Sequence, residues 1–346
     1  MTSLAQVIFN CVSAFGETRG GGRENSWEPA KTLVFVVGVL KWRDKSYLQF
    51  TTKARRDEQL VDLFRSKGVS PDRIVYLQDQ EATLANFQDS FQSLLAKSNP
   101  DDTLIFYYCG HGWLDSSGHG FFANYDVGGE GTSISTAKIA STIKRNFRGK
   151  QALFFADCCS SGSIGDALAS AGVTIPYAMA SSVVAHNKST SNWTFSQSIV
   201  DAFAGHKFVD SNKDGVVSFE DLSIYSAREM KQIDNQLACA VSENGFLGDF
   251  VLSKVTFPDE VIPLVVEVRW RGKWWKAKLL EITPQKGKIR WCQIGYDSNV
   301  DEDWYPLAEI RTIDGSQLSD FGKSPGTASS AHAVGSSLSV LWKGKY

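Results

Sequence analysis

Two short segments of the sequence contain the residue types that carry out nucleophilic catalysis. In the first, His111 lies between two glycines just after an apolar run, and in the second, Cys158 and Cys159 follow another apolar run. Continuous apolar runs are typical of strands buried in a sheet, and sites in open α/β sheets form at the carboxyl ends of strands. We therefore expect the imidazole and one of the thiols to lie near each other, so that the thiol can attack a carbonyl. Backbone N–H groups facing the thiol would stabilise the oxyanion that forms.

The same residues also have an unreactive interpretation. Free cysteines are usually small buried hydrophobic residues, and a histidine between glycines is compatible with an ordinary polar turn. The residue types alone leave both interpretations open.

The elements that position these residues alternate between strands and helices from residue 31 to about residue 258. This alternation predicts an α/β fold, with a mostly parallel sheet and helices on both of its faces. The predicted strands are 33–40, 73–77, 103–109, 121–125, 152–156 and 177–180. The predicted helices are 53–66, 82–96, 135–147, a segment after 162, and 194–203.

The flanking segments have a different character. Residues 1–30 are predicted to form an N-terminal arm, and short Trp-rich alternating segments predict a small all-β, SH3-like barrel over 259–313. Residues 314–346 begin as a linker rich in Ser, Gly and Ala. Their last nine residues repeat the pattern of 266–274, so we expect the start of a second barrel, in a chain that is part of a longer product or is processed near its end.

Composition excludes several classes of protein. The 346 residues contain 36 Lys and Arg and 38 Asp and Glu, a net charge of −2, so no global field favours nucleic acid or an anionic membrane. The 6 cysteines are too sparse for a disulfide framework, which favours a reducing, cytoplasmic setting. The longest apolar run, 33–40, is far shorter than the ~20 residues of a membrane helix, and no signal peptide is evident.

The two segments form the motifs GHG and DxCxSG, which resemble those of the caspase and metacaspase cysteine peptidases over residues 31–253. The resemblance implies a caspase-like fold, protein substrates, and a Cys–His dyad. The register of the second motif implies that Cys159 is the nucleophile and that His111 is the general acid and base. The chain departs from the pattern at Ser160, where metacaspases often have His, and it lacks the Q-A-C motif of caspases.

Substrate specificity follows from two acids that the resemblance to metacaspases places in the primary pocket. Asp57 and Asp157 would there favour Arg or Lys before the scissile bond. Asp57 is also compatible with a solvated acid at a helix start. Arg55 or Arg56, if either entered the pocket, would instead favour acidic substrates.

Residues 210–221 match an EF-hand-like calcium loop, with a glycine at its sixth position. An Asx-rich turn without metal is the alternative. We expect no organic cofactor. The predicted calcium ligands are Asp210, Asn212, Asp214, Val216 through its carbonyl, Ser218 and Asp221.

The segment after residue 258 resembles Tudor and chromo-barrel modules, which often hold a methylated Lys or Arg in an aromatic cage. The resemblance implies a protein partner, although aromatic residues also fill the core of a small barrel. The cage candidates are Trp275, Tyr296, Asp297 and Trp304.

Two functions of different classes are therefore predicted. The first is a caspase-like cysteine endopeptidase, and the alternative is a catalytically silent caspase-fold scaffold that acts through the Tudor-like module. Reactivity of Cys159 toward a peptidyl electrophile distinguishes them.

Overall fold

A computed structural model describes residues 25–53, 55–128, 133–183, 193–256, 264–283, 285–292, 302–313 and 315–318. These residues divide into two units. The first contains those up to Gly205 and Val209–Lys254, and the second contains His206–Phe208 and those from Val255 onward. The predicted second repeat at 338–346 lies outside the described residues, as does most of the predicted arm.

The first unit alternates strands and helices. Its strands are β1 (Thr32–Gly38), β2 (Ile74–Gln78), β3 (Thr103–Cys109), β4 (Gly112–Leu114), β5 (Gly120–Phe122), β6 (Ile134–Ser135), β7 (Gln151–Asp157), β8 (Tyr177–Ser181), β9 (Val216–Ser218), β10 (Cys239–Glu243) and β11 (Val251–Lys254). Its helices are α1 (Arg56–Ser66), α2 (Leu84–Ala96), α3 (Thr136–Asn146), α4 (Ser163–Ser170), α5 (Thr194–Ala204) and α6 (Phe219–Glu229).

The main sheet of this unit has the strand order β10-β8-β7-β3-β1-β2. Strands β8, β7, β3, β1 and β2 are parallel, whereas β10 runs antiparallel at the edge. Two smaller antiparallel sheets accompany it, β4-β5-β6 and β11-β9. The predicted α/β fold with a mostly parallel sheet is therefore confirmed.

Both faces of the main sheet are covered, because every residue of β1, β3 and β7 is buried. On one face, Phe35 of β1 packs against Phe87 and Phe91 of α2. On the other, Phe155 of β7 contacts Phe203 of α5. This two-sided burial explains why the central strands have continuous apolar sequences rather than alternating ones.

The second unit contains an antiparallel sheet in the order β15-β14-β13-β12-β16. Its inner residues, among them Val266, Leu279 and Ile289, form a separate core. Closure of this sheet into an SH3-like barrel stays a prediction. The strands are β12 (Leu264–Trp270), β13 (Lys273–Ile282), β14 (Lys286–Trp291), β15 (Glu302–Pro306) and β16 (Ile310–Thr312).

Among the described residues, no helix combines the length and apolar character needed to cross a membrane.

Candidate active site

His111 and Cys159 follow neighbouring strands of the main sheet. β3 and β7 pair in parallel, and their last residues, Cys109 and Asp157, lie opposite each other in the register. His111 and Cys159 each come two residues after this pair. The topology therefore brings the loop of the imidazole and the loop of the thiol together at the carboxyl edge of the sheet.

The two loops touch through their backbones. The Gly110 N–H donates a hydrogen bond to the Asp157 carbonyl at 3.3 Å. A Cβ atom at Gly112 would overlap the Cys159 carbonyl oxygen and lie 2.7 Å from the Cys158 Sγ. Glycine at position 112 therefore allows a close approach that any side chain would prevent.

The two adjacent thiols differ in exposure. Cys158 is buried and packs in the core of the first unit, whereas Cys159 is partly exposed. Burial raises the pKa of the Cys158 thiol well above its ordinary value, which keeps that thiol protonated. Ser160, directly after Cys159, has the left-handed φ of 54°, so the chain turns sharply there before α4 begins.

The His111 ring is enclosed by residues of the segment between β1 and α1. Its Nε2 lies 2.8 Å from the carbonyl oxygen of Leu48. The rings of Trp42 and Phe50 pack against it, with centroids 4.4 and 4.6 Å away. Burial lowers the pKa of His111, and the hydrogen bond to Leu48 opposes that shift.

The Leu48 contact determines the tautomer of the neutral ring. A carbonyl oxygen only accepts hydrogen bonds, so Nε2 of His111 carries the proton. Nδ1 of the neutral imidazole then holds a lone pair and is able to accept a proton.

Asp157 is buried beneath the Cys159 loop and holds the start of α5. Its Oδ2 accepts hydrogen bonds from the backbone N–H of Ser196 at 3.1 Å and from the Ser196 hydroxyl at 2.6 Å. The same hydroxyl lies 2.6 Å from the hydroxyl of Tyr107. Burial raises the pKa of Asp157 to about 6, although the hydrogen bonds from Ser196 and Ser182 oppose the shift.

Asp57 is also buried, against Gly38 at the end of β1. Its carboxylate forms an ion pair with Arg55 at 2.7 Å and accepts a hydrogen bond from the Tyr76 hydroxyl at 2.8 Å. Arg55 also pairs with Asp79 at 2.7 Å. The structure thus brings Asp57 and Asp157 to the same edge of the sheet, but it pairs Asp57 with a cation of its own chain.

The sequence profile of the family described as Caspase domain matches residues 48–243, which is more than half of the chain. The chain belongs to the caspase domain family. Members of this family are cysteine peptidases that act on protein substrates. The matched segment contains both His111 and Cys159.

Solved structures give low-scoring matches. A protein from Geobacter sulfurreducens is 12% identical, with a TM-score of 0.46, over 65% of this chain and 99% of its own. Caspase-1 from Spodoptera frugiperda is 14% identical, with a TM-score of 0.45, over 69% and 96%. The Drosophila initiator caspase Dronc is 11% identical, with a TM-score of 0.40, over 70% and 86%. No curated protein matches the chain significantly.

The predicted calcium loop of this caspase-family chain is closed by its own hydrogen bonds. Asp210 accepts from the backbone N–H groups of Lys213, at 2.7 Å, and Gly215, at 3.0 Å. Asp221 accepts from Ser211 and forms a capping box with Ser218 at the start of α6. Within the described ranges, no group of three or more His, Cys, Asp or Glu is arranged to hold a metal ion. Calcium binding here stays a prediction, with no role in the chemistry below.

The aromatic-cage candidates are only partly described. Tyr296 and Asp297 lie outside the described residues. Trp275 packs against the core of the second unit, as does Tyr305. Because side chains alternate along a strand, Trp304 points to the face opposite Tyr305, where it is 41% exposed. Trp275 and Trp304 therefore lie on opposite faces of the sheet, and an aromatic cage stays a prediction.

Two features of the site had no signal in the sequence. One is the carbonyl of Leu48, which accepts the hydrogen bond from His111. Every residue has a backbone carbonyl, and only the fold determines which of them contacts His111. The other is the pairing of Arg55 with both Asp57 and Asp79, which depends on where β2 ends. The neighbouring Arg56 bonds instead to Gln59 within α1.

Proposed function

We propose that this chain is a cysteine endopeptidase in which Cys159 is the nucleophile and His111 is the general acid and base. The observation that carries the proposal is the placement of both residues, two positions beyond the paired ends of β3 and β7, inside the segment that matches the caspase domain family. The partial exposure of Cys159 supports it, because a nucleophile must reach its substrate.

The chemistry follows the two steps of an acyl-enzyme mechanism. The Cys159 thiol gives its proton to His111 Nδ1, and the thiolate sulfur bonds to the peptide carbonyl carbon. The imidazolium donates that proton to the leaving amine as the C–N bond breaks, which leaves a thioester. His111 then takes a proton from water, whose oxygen bonds to the acyl carbon, and the proton returns to the sulfur as the C–S bond breaks.

The contact between His111 and Leu48 supports this assignment of atoms. It keeps the proton of the neutral ring on Nε2, so that Nδ1 is the atom that exchanges protons with the thiol. The lowered pKa of His111 keeps the ring neutral at pH 7, which is the form required to accept the first proton.

For specificity, we propose a preference for Arg or Lys before the scissile bond. Arg55 neutralises only part of the charge at this edge, because its guanidinium is shared between Asp57 and Asp79, and Asp157 ends β7 at the same edge. The excess of negative charge favours a substrate cation. A like charge 4 Å from a carboxylate costs about 4 kcal/mol at an effective dielectric constant of 20.

Peptides that differ only in the residue before the scissile bond test the specificity. We expect kcat/KM for Arg and Lys to exceed that for Asp by about a thousandfold, since each ~1.4 kcal/mol is a factor of ten. Cleavage after Asp, with none after Arg or Lys, would show that Arg55 supplies a cation to the pocket.

Cleavage by matched alanine variants tests the dyad itself and separates the enzyme from the silent scaffold. Cys159→Ala and His111→Ala should abolish peptide cleavage, whereas Cys158→Ala should keep much of it, because the buried Cys158 takes no part in the reaction. Calcium-loaded and chelator-treated samples should be compared in the same assay. Equal rates for Cys159→Ala and the parent chain would leave the scaffold as the better description.

A further inference from the structure

The segment between β1 and α1 is the part of the fold that holds the His111 ring. We call residues 39–50 the His111 loop. This loop supplies the Leu48 carbonyl that accepts from Nε2 and the two rings that enclose the imidazole, Trp42 and Phe50. The orientation and tautomer of His111 therefore depend on the position of the loop.

Internal hydrogen bonds connect the two ends and the middle of the His111 loop, so that its residues move together. The Phe50 N–H donates to the Leu40 carbonyl at 2.9 Å, which joins the two ends of the loop. The Trp42 N–H donates to the Gln49 side-chain oxygen at 2.9 Å, which braces its middle. A displacement at Leu40 is therefore transmitted to Leu48.

Asp79 anchors this loop from the end of β2. Its Oδ1 accepts hydrogen bonds from the backbone N–H groups of Leu40 at 2.8 Å and Lys41 at 3.0 Å. Its Oδ2 pairs with Arg55 at 2.7 Å, and Arg55 in turn donates to the Gly38 carbonyl at 2.8 Å. Asp79 itself has the left-handed φ of 45°, a strained conformation that persists only where its surroundings hold it.

We propose that Asp79 is a positioning residue for His111, acting through the His111 loop without touching substrate or the reacting atoms. The proposal rests on the function proposed above. Asp79 holds Leu40 and Lys41, the loop carries this restraint to Leu48, and the Leu48 carbonyl keeps the proton on Nε2. Without the anchor, the carbonyl no longer selects this tautomer, and Nδ1 is less often free to take the thiol proton.

The kinetic test compares Asp79→Ala with Asp102→Ala. Asp102 is a matched control, because it is buried, pairs with Arg73 at 2.6 Å and accepts a backbone N–H from Asn99 at 2.7 Å, but it lies before β3, at the opposite end of that strand from His111. At a temperature where both variants are folded, only Asp79→Ala should lower kcat, by about tenfold or more, because small misplacements of catalytic groups are costly.

The conservative variant Asp79→Asn should recover part of the lost kcat, because it keeps the hydrogen bonds to Leu40 and Lys41 but loses the ion pair with Arg55. Asn keeps a side-chain oxygen for Leu40 and Lys41 and also tolerates a left-handed φ. A fall in kcat that is the same in Asp79→Ala and Asp102→Ala, or no fall in either, would overturn the proposal.

Nuclear magnetic resonance of ¹⁵N-histidine gives a second readout that needs no cleavage. The chain has 5 histidines, and a His111→Gln variant assigns the signal of interest. Asp79→Ala should change the tautomer and titration of His111, whereas Asp102→Ala should leave both unchanged. If the parent chain cleaves no peptide, the proposed function fails while this experiment still decides the positioning role. An unchanged His111 signal in Asp79→Ala would refute that role.

Discussion

Gly112 lies in the segment after β3 that contains His111. At this residue, that segment packs on the segment after β7 that contains Cys159. A Cβ atom there would overlap the Cys159 carbonyl oxygen, a backbone atom that has no rotamer by which to move aside. The separation of the two proposed catalytic side chains therefore depends on the smallest residue of the motif. This gives the second glycine of GHG a steric role that is independent of backbone conformation.

Gly112→Ala should therefore impair catalysis strongly, although the substitution adds only one methyl group. The added methyl group displaces the Cys159 loop from His111, and we expect kcat to fall by about a hundredfold. Overpacking should also lower the free energy of unfolding by about 1–3 kcal/mol. Steady-state kinetics and urea unfolding measure the two effects.

The control is Gly128→Ala, because among the described residues a Cβ at that position meets only the Asp126 carbonyl oxygen, 4.0 Å away. This variant should keep full activity. Equal activity of Gly112→Ala and Gly128→Ala would show that the two loops do not need this close contact.

At this scale the sequence predicted the residues but not their partners. His111 and Cys159 were found because their motifs follow apolar strands. The exposure difference between Cys158 and Cys159 agrees with the register of the motif, although the dyad itself stays a proposal. The partners of Asp57 and His111, namely Arg55 and the Leu48 carbonyl, depend on contacts between distant segments, for which a single sequence has no signal.

Among the elements, α5 is tied to the end of β7 through Asp157 and Ser196. Because burial raises the pKa of Asp157 to about 6, the folded state binds its proton more tightly than the unfolded state does. This group therefore contributes stability that is present below pH 4 and is lost as pH rises through about 6.

Asp157→Asn should remove this dependence on pH. Asn cannot titrate, yet it keeps an oxygen that accepts from Ser196. The unfolding free energy of the parent chain, measured relative to that of the variant, should fall by about 2 kcal/mol between pH 4 and pH 7, since one pKa unit corresponds to ~1.36 kcal/mol and part of the change lies outside this range. Urea unfolding at the two pH values measures it. A difference between the chains that is the same at both values would contradict the raised pKa.

The helix α6 provides a test that separates capping from calcium binding. Asp221 completes the capping box with Ser218, so Asp221→Ala should lower the free energy of unfolding by about 1–2 kcal/mol even in a chelator. Asp214→Ala should have little effect there, because Asp214 is exposed and its hydrogen bonds in the described part of the chain lie within the loop.

Calcium should then stabilise the parent chain in proportion to the logarithm of its free concentration. The double variant Asp210→Ala, Asp214→Ala should lose this response, which calorimetry and thermal unfolding measure. The same calcium response in both chains would place the ion elsewhere.

Some elements were predictable and others were not, for physical reasons. β1, β3 and β7 were predicted because burial on both faces requires continuous apolar sequence. The edge strand β10 was not, because its residues are mostly half-buried and its sequence CAVSE has no strong pattern. The helix α6 was not predicted either, because Ser218 and Asp221, which cap it, were interpreted as calcium ligands.

For the whole molecule, the match to the caspase domain family covers residues 48–243 and so falls mainly in the first unit. The strand order of the main sheet brings residues that are 48 positions apart in the sequence to one edge. The near-zero net charge of −2 is compatible with this arrangement, because the acidic excess proposed to select substrates is local to that edge. The second unit adds an antiparallel sheet with its own core, whose function stays a prediction.

The most direct test of the Cys159–His111 dyad is covalent labelling of the intact chain by a peptidyl halomethyl ketone that carries Arg. The thiolate sulfur bonds to the methylene carbon as halide leaves, and peptide mapping by mass spectrometry locates the adduct. We predict one rapid adduct, on Cys159, in the parent chain and in Cys158→Ala, with slow labelling in His111→Ala. An adduct on Cys158, or labelling of Cys159 no faster than in the unfolded chain, would contradict the dyad.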